Sequence, residues 1–282
     1  MIEVVRPGPL ATVQDLGRPG RAHLGVPSSG AADERAFRLA NRLVGNPEDA
    51  AAVELTFGGA TLRFHRHAWI AVTGAPVPLR INGRAYGTHA PAHVAAGALV
   101  EFGTPESGLR SYLAVRGGVA VEEVLGSRST DLLSGLGPPP LSSGDHLPLG
   151  TAKGLGDIAV DVAPAPPMPG TPVLHIRPGP RDDWFTEEAL AALTSTLYQV
   201  SPESNRVGVR LDGPPLVRAR DGELGSEGMV TGSLQVPPSG MPIIFLADHP
   251  TTGGYPVVAV LVRSAVPDAA QLRPGQNVRF RV

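Results

Sequence analysis

The residues best suited to chemistry follow a short apolar run, Pro242 to Ala247, in the last quarter of the chain. The polar and small residues after it are Asp248, His249, Thr251, Thr252, Gly253, Gly254 and Tyr255. A short apolar run of this kind is typical of a buried strand. Polar groups at the end of such a strand, beside glycines that admit another molecule to the backbone, commonly build a site. The alternative is that the glycine pair only supplies positive φ for a hairpin.

A second candidate is the segment GSRST, which runs from Gly126 to Thr130 and contains Ser127, Arg128 and Ser129. Three hydroxyls and a guanidinium beside a glycine make a compact receptor for an anion. The alternative is a capped turn that opens a short helix at Asp131.

Polar residues also stand between glycines near the N-terminus, where Gln14, Asp15 and Arg18 lie within five positions. An amide, a carboxylate and a guanidinium so close together could bind a polar ligand. We expect the loops at 14–18, 126–130, 226–228 and 248–255 to converge on one groove, since each carries polar groups out of an apolar segment beside a glycine. A bidentate role for Arg128 further predicts that Arg128→Lys causes a large loss of function.

Metal ligation has weaker support. His65 and His67 are two residues apart, so on a strand they would share a face, but no third ligand is evident. His89 and His93 have helical spacing, but they lie in a stretch that contains proline and glycine. This pair therefore gives equally weak support for a metal site. Since the chain has no cysteine, it has no thiol nucleophile and no thiolate ligand. We therefore predict no metal site.

Several standard chemistries are absent from the sequence. It contains no G-x-x-x-x-G-K-[ST] phosphate loop, no G-x-S-x-G or S-x-x-K motif and no G-x-G-x-x-G that opens a helix. Lys153, the only lysine, lies between Ala152 and Gly154 rather than between methionines, so no biotin is expected on this chain. Any chemistry must use carboxylates, hydroxyls, arginines and backbone amides.

The composition favours many short strands joined by tight turns, with 35 glycines and 30 prolines among 282 residues. A net charge of -2 argues against nucleic-acid binding, which needs a basic face. The N-terminus lacks the pattern of a signal peptide, and the longest apolar run, Val257 to Val262, is too short to span a bilayer. These features predict a soluble, cytoplasmic protein.

The hydrophobic pattern predicts a mainly β chain with helices at 33–44 and 187–200 and a helical turn at 47–52. Asn82-Gly83 predicts a hairpin, because a type I′ turn needs positive φ at both central positions. The segment APAPPMPGTP, 163–172, is typical of a proline-stiffened linker. We predict one domain, 1–282, with possible lobes at 1–163 and 172–282 joined by this linker.

A series of longer motifs identifies a family resemblance. The motifs, in order, are TVQDLGRPG (12–20), GVPSSGAAD (25–33), ANRLVGNPEDAAAVELTFGG (40–59), SYLAVRGG (111–118), GSRST (126–130), NRVGVRLDG (205–213), GSEGMVTGSLQVPPSGMPI (225–243) and DHPTTGGYP (248–256). Together they resemble the allophanate hydrolase subunit 2 family, also called the C subunit of 5-oxoprolinase. That group is similar to biotin-dependent carboxyltransferases and includes the antagonist of a sporulation-kinase inhibitor. Ala265 and Gln276 depart from the pattern, because family members tend to carry acids at these positions.

The resemblance implies a cyclophilin-like β-barrel and a subunit of an ATP-dependent complex that opens 5-oxoproline to glutamate. Its implied partners are subunits A and B, with ATP used at the level of the complex and the isolated chain inactive. Under this reading the candidate catalytic acids are Asp15, Glu227 and Asp248. The candidate substrate-binding residues are Gln14, Arg18, Ser127, Arg128, Ser129, Thr130, Ser226, Gln235, Thr252, Gly253, Gly254 and Tyr255.

Two other functions fit the same resemblance. The chain could be the carboxyltransferase half of a urea or amide carboxylase. It could also be a non-enzymatic antagonist that binds a kinase-inhibitor protein.

Overall fold

The computed structural model describes residues 1–220, 222 and 224–282. That part of the chain contains twenty β-strands and three α-helices, the longest of ten residues, so the predicted mainly β fold is confirmed. None of these described helices is long and apolar enough to cross a bilayer. The chain divides into two compact units. The first unit comprises Met1–Arg18, Ser29–Asp131 and Gly135–Pro167, and the second Pro19–Ser28, Leu132–Ser134 and Met168–Val282.

The first unit contains two antiparallel sheets, with strands numbered in chain order. One sheet comprises β1 (Ile2–Arg6), β4 (Thr61–Phe64), β6 (Leu79–Ile81), β7 (Arg84–Tyr86), β9 (Leu99–Phe102) and β11 (His146–Leu147). Its strand order is β11-β1-β4-β9-β6-β7. The other comprises β2 (Leu10–Gln14), β3 (Ala52–Thr56), β5 (Ala68–Gly74), β8 (Pro91–Val94) and β10 (Arg110–Val115). Its order is β2-β3-β10-β5-β8.

The core of this unit follows from the two-residue period of its strands. On β10, Leu113 and Val115 pack with apolar side chains from both sheets. Tyr112 and Ala114 point to the opposite face, where they pack against helix α1 (Glu34–Leu43). Successive side chains of a strand point to opposite faces, so β10 serves two apolar clusters.

Helix α1 confirms the prediction for residues 33–44. Asp33 caps its start by accepting a hydrogen bond from the N–H of Ala36 at 2.9 Å. Phe37 and Leu43 are buried on the helix face that packs against the sheet. The ring of Phe37 meets that of Tyr112 edge-on, with centroids 6.1 Å apart.

The Asn82-Gly83 hairpin is also confirmed. It joins β6 to β7, and both residues have positive φ, 51° at Asn82 and 77° at Gly83. The side-chain Oδ1 of Asn82 accepts a hydrogen bond from the N–H of Leu99 at 2.9 Å, which ties the turn to β9.

The second unit is built on a closed barrel of seven strands. These are β12 (Val173–Pro178), β13 (Tyr198–Val200), β14 (Gly208–Asp212), β16 (Ser233–Gln235), β17 (Ile243–Phe245), β19 (Val257–Leu261) and β20 (Asn277–Arg281). They close in the order β12-β19-β16-β17-β14-β13-β20. Strands β12 and β20 pair in parallel, and the other pairs are antiparallel. A small ribbon of β15 (Glu227–Gly228) and β18 (Thr252–Gly253) accompanies the barrel.

Two short helices complete this unit, α2 (Glu187–Ser195) and α3 (Val266–Ala270). Thr186 caps α2 by accepting a hydrogen bond from the N–H of Ala189, but the predicted extension to residue 200 is wrong. Thr196 is extended, and the next residues form β13, in which Tyr198 pairs with Val278. Pairing within the barrel outweighs the helical period here. Leu197, which a helix continued to residue 200 would turn toward the core with Leu190 and Leu193, is 41% exposed.

The helical turn predicted at 47–52 is only a turn. Ala50 donates its N–H to the carbonyl of Pro47, and β3 begins two residues later at Ala52. The segment after Thr130 is likewise a turn, closed by the N–H of Gly135 on the carbonyl of Asp131, rather than a short helix.

Candidate functional site

The carboxylate of Asp15 is the centre of a hydrogen-bond network in the first unit. Its Oδ1 accepts from the hydroxyls of Ser127 and Ser129, each at 2.6 Å, and from the N–H of Gly17 at 2.7 Å. Its Oδ2 accepts from the N–H of Arg128 at 2.6 Å. These four donors match the roughly four acceptor positions of a carboxylate, and Asp15 is only 8% exposed. The network fastens the loop at 14–18 to the loop at 126–130.

Arg18 makes a second connection between the same loops. Its guanidinium is 2% exposed and donates to the carbonyl of Ser129 at 2.5 Å and to that of Val124 at 3.3 Å. A Cβ at Gly137 would collide with the same Ser129 carbonyl, so the backbone can approach this closely only at a glycine. The Arg18 guanidinium thus holds two main-chain carbonyls, those of Val124 and Ser129, in place.

Gln14 and Thr130 lie beside this network with hydrogen-bonding capacity left over. The Gln14 amide donates to the hydroxyl of Thr12 and to the carbonyl of Thr130, both at 3.0 Å. Within the described residues, neither Gln14 Oε1 nor the Thr130 hydroxyl has a hydrogen-bond partner, although both side chains are buried. Buried polar atoms are nearly always paired, so these two are the natural places for a water or a ligand atom.

The Arg128 side chain turns away from Asp15. Its Nε donates to the carbonyl of Val121 at 2.8 Å, and its Nη1 pairs with Glu123 Oε1 at 2.7 Å. The side chain is about one-third exposed. In this arrangement Arg128 contributes its main-chain N–H to the network, and its guanidinium binds within its own loop.

In the second unit, Asp248 forms a fully buried ion pair with Arg206. Arg206 Nε donates to Oδ2 at 2.9 Å and Nη2 to Oδ1 at 3.0 Å, a two-point contact in which both side chains are inaccessible to solvent. The N–H of Leu132 also donates to Oδ2, at 3.1 Å. Removing one partner of such a pair leaves a buried charge uncompensated, which is strongly destabilising.

Glu227 is more open than the other two predicted acids. Its carboxylate is 29% exposed and is bound by the guanidinium of Arg181, with Nε 2.9 Å from Oε1 and 3.1 Å from Oε2. The hydrogen bond to Glu227 raises the pKa of Arg181 above its ordinary value. Ser226 precedes β15 and is exposed.

The β15–β18 ribbon brings further predicted residues to this acid. Glu227 lies opposite Gly253, and Gly228 opposite Thr252. The amide of Gln235 donates to the carbonyl of Tyr255 at 3.1 Å, and a Cβ on Gly253 would collide with that amide. A side chain at position 253 would therefore displace the Gln235 amide from its present place. The next residue, Gly254, is exposed, and the Tyr255 side chain is 45% exposed.

Apart from Asp248, which is paired with Arg206, the predicted site residues form two groups. One holds Gln14, Asp15, Arg18, Ser127, Arg128, Ser129 and Thr130, and the other Ser226, Glu227, Gln235, Thr252, Gly253, Gly254 and Tyr255. A single groove shared by both groups, and the assigned roles of these residues, stay predictions. The sequence analysis missed Arg206 and Arg181. No local signal marks them, because they lie 42 and 46 positions from the acids that they bind.

The histidine pairs separate in the structure. His65 and His67 follow the end of β4, and they contact different partners, Glu3 for His65 and the stacked ring of His93 for His67. His89 is buried with φ of 60°, whereas His93 lies in β8.

Comparison with known proteins gives this arrangement a family. Residues 24–282 match the model of the carboxyltransferase domain, subdomain A and B. The C subunit of the Escherichia coli 5-oxoprolinase is 39% identical over 283 residues, which cover 99% of this chain and 90% of the relative.

Two solved structures share the fold closely. The crystal structure of TTHA0988 superposes with a TM-score of 0.90 at 35% identity, covering 100% of this chain and 55% of that one. The crystal structure of the Kluyveromyces lactis urea amidolyase gives a TM-score of 0.90 at 33% identity, covering 99% of this chain and 18% of that one. The chain therefore spans about half of the first of these proteins and under a fifth of the second. From the family match and the identity to the Escherichia coli relative, the chain belongs to the carboxyltransferase domain, subdomain A and B, family.

Proposed function

We propose that this chain is the C subunit of an ATP-dependent 5-oxoprolinase and acts with subunits A and B to open 5-oxoproline to glutamate. The observation that carries the proposal is the similarity to the Escherichia coli relative, which covers 99% of this chain and 90% of that protein. The chain covers only 18% of the urea amidolyase that it also resembles.

Ring opening of 5-oxoproline requires groups that bind an anion and a group that transfers a proton. An unstrained amide is a poor electrophile, so ATP would supply phosphorylation of the carbonyl oxygen before water attacks. Glu227 is the best candidate for proton transfer in this chain. Its carboxylate is partly exposed, whereas Asp15 and Asp248 have their oxygens occupied by buried donors. We assign Asp15 and Asp248 to positioning.

The first unit offers complementary groups for the substrate. Gln14 Oε1 can accept from the lactam N–H, and the hydroxyl of Thr130 can donate to a substrate oxygen. Both atoms are buried, so a substrate reaches them only through a bound water or after a movement. That requirement agrees with a site completed by the B subunit.

A carboxyltransferase is the second candidate function. It is favoured by the family match and by the TM-score of 0.90 with the urea amidolyase structure. In that case the same groups would hold urea or another amide, and the carboxyl group would arrive on a carrier from another chain.

The test is reconstitution of this chain with the A and B subunits of a 5-oxoprolinase. We expect 5-oxoproline-dependent ATP hydrolysis from the complex and none from the chain alone. Glu227→Gln should lower kcat by about 100-fold or more, the usual contribution of a general acid or base. Glu48→Gln is the matched control, since Glu48 also pairs with arginines, Arg38 and Arg42, at a partly exposed position.

Three results would contradict the proposal. Full turnover by the isolated chain would remove the need for partners. Equal kcat values for the two variants would remove Glu227 from the chemistry. A complex that does not hydrolyse ATP with 5-oxoproline, but carboxylates urea from a biotinyl carrier, would favour the second function.

A further inference from the structure

A separate group of ligand-type side chains lies on the six-stranded sheet of the first unit. Glu3 is on β1, between two neighbouring strands, with His146 of β11 directly opposite on one side and Arg63 of β4 on the other. His65 is two positions beyond Arg63. His65 follows the end of β4 in a bend, and its ring reaches back to the Glu3 carboxylate.

The three side chains approach one another closely. His65 Nε2 lies 3.0 Å from Glu3 Oε2. The rings of His65 and His146 stack with centroids 6.1 Å apart and an interplanar angle of 25°. One ligand atom from each of Glu3, His65 and His146 lies within 4.8 Å of the other two, the only such group of three in the described part of the chain.

We propose that Glu3, His65 and His146 bind a divalent transition-metal ion, with zinc as the best fit. Two imidazole nitrogens and one carboxylate oxygen suit zinc, which binds these ligands at about 2.0–2.2 Å. Ligand atoms around a tetrahedral ion are then roughly 3.4 Å apart, so only small rotations of exposed side chains are needed. Calcium and magnesium prefer an all-oxygen shell and fit this set poorly.

Three protein ligands leave the fourth position for water. All three side chains are partly or largely exposed, so the ion can exchange with solvent. None of the three belongs to the Asp15 network or the Glu227 group. The metal site is therefore independent of the proposed function.

Arg63 is the one close competitor among the described residues. Its Nε is 3.6 Å from Glu3 Oε2, and its side chain is 40% exposed. A bound cation and this guanidinium would repel each other, and an exposed pair of this kind is held weakly. Arg63 should therefore weaken metal binding without preventing it.

The experiment is calorimetric titration of the tag-free, chelator-treated full chain with Zn²⁺, repeated with Co²⁺ to follow its absorption. We expect one saturable site per chain and the strong visible band of tetrahedral Co²⁺. His146→Ala should weaken binding at least about tenfold, because losing a ligand costs no less than losing its supporting partners. Arg63→Gln should strengthen binding, an effect that a purely structural role for the cluster would not produce.

The matched control is His67→Ala. His67 and His93 also stack, with centroids 5.4 Å apart on the same unit, but they are not part of the group of three. The Zn²⁺ affinity of His67→Ala should equal that of the unaltered chain. Unchanged affinity in His146→Ala, an equal loss in His67→Ala, or no gain in Arg63→Gln would each overturn the proposal.

Discussion

At the scale of single residues, Asp15 shows how one carboxylate can organise two loops that are more than a hundred positions apart. It receives four hydrogen bonds, three of them from the segment 127–129. Hydrogen bonds to a charged acceptor are shorter and stronger than neutral ones. The anion-receptor segment GSRST therefore already binds an anion, and that anion belongs to the chain itself.

Asp15→Asn should destabilise the protein by about 1–3 kcal/mol, because the new amide turns a donor toward groups that also donate. Thermal or urea unfolding measures this difference. Asp145→Asn is the control, since Asp145 accepts one hydrogen bond, from the N–H of Ser142, at an exposed turn. A similar small loss in both variants would contradict the organising role of Asp15.

His89 makes stability depend on pH. It is buried with φ of 60°, its Nε2 has no partner within the described chain, and burial lowers its pKa. Below the ordinary histidine value of about 6.5 the unfolded chain binds a proton that the folded chain resists. Stability is therefore present above that pH and lost as the pH falls.

His89→Asn should flatten this acid dependence between about pH 6.5 and 5, since asparagine does not titrate and accepts a left-handed backbone. Urea unfolding at several pH values provides the measurement. His93→Asn, at an exposed strand position, is the control for replacing a histidine by asparagine. If the slope of His89→Asn matches that of the unaltered protein, burial of His89 is not its source.

At the scale of elements, helix α2 depends on its cap. It has nine residues. The N–H of Ala189, in its first turn, has no partner within the helix and donates instead to the Thr186 hydroxyl at 3.2 Å. Thr186→Ala should cost about 1 kcal/mol of stability, measured by urea unfolding, whereas Thr186→Ser should keep most of the bond. Equal losses in both variants would show that the methyl group of Thr186, rather than its hydroxyl, matters.

The elements also show which parts of the fold local sequence determines. Helix α1, capped by Asp33, and the Asn82-Gly83 turn depend on neighbours in the chain, and both elements were predicted correctly. The end of α2 depends on Tyr198 pairing with Val278, 80 positions away, so periodicity predicted five residues too many. The Arg206–Asp248 pair escaped prediction for the same reason.

At the scale of the whole molecule, each unit has its own apolar core. One lies between the two sheets of the first unit and the other fills the barrel of the second. The proline-rich segment is fastened at both ends. The N–H of Ala163 donates to the carbonyl of His89, and the amide of Gln276 donates to the carbonyls of Pro169 and Gly170. Its composition predicted a linker but could not indicate these contacts.

Because β12 pairs in parallel with β20, the barrel can close only after β20 has been synthesised. Val173 lies beside Arg279 and Leu174 beside Phe280. The first barrel strand therefore lacks this neighbour until about a hundred more residues have been synthesised. Until that partner leaves the ribosome, β12 and β13 each present an open edge to other nascent chains. The interval before the last strand emerges is therefore when this protein most needs a chaperone.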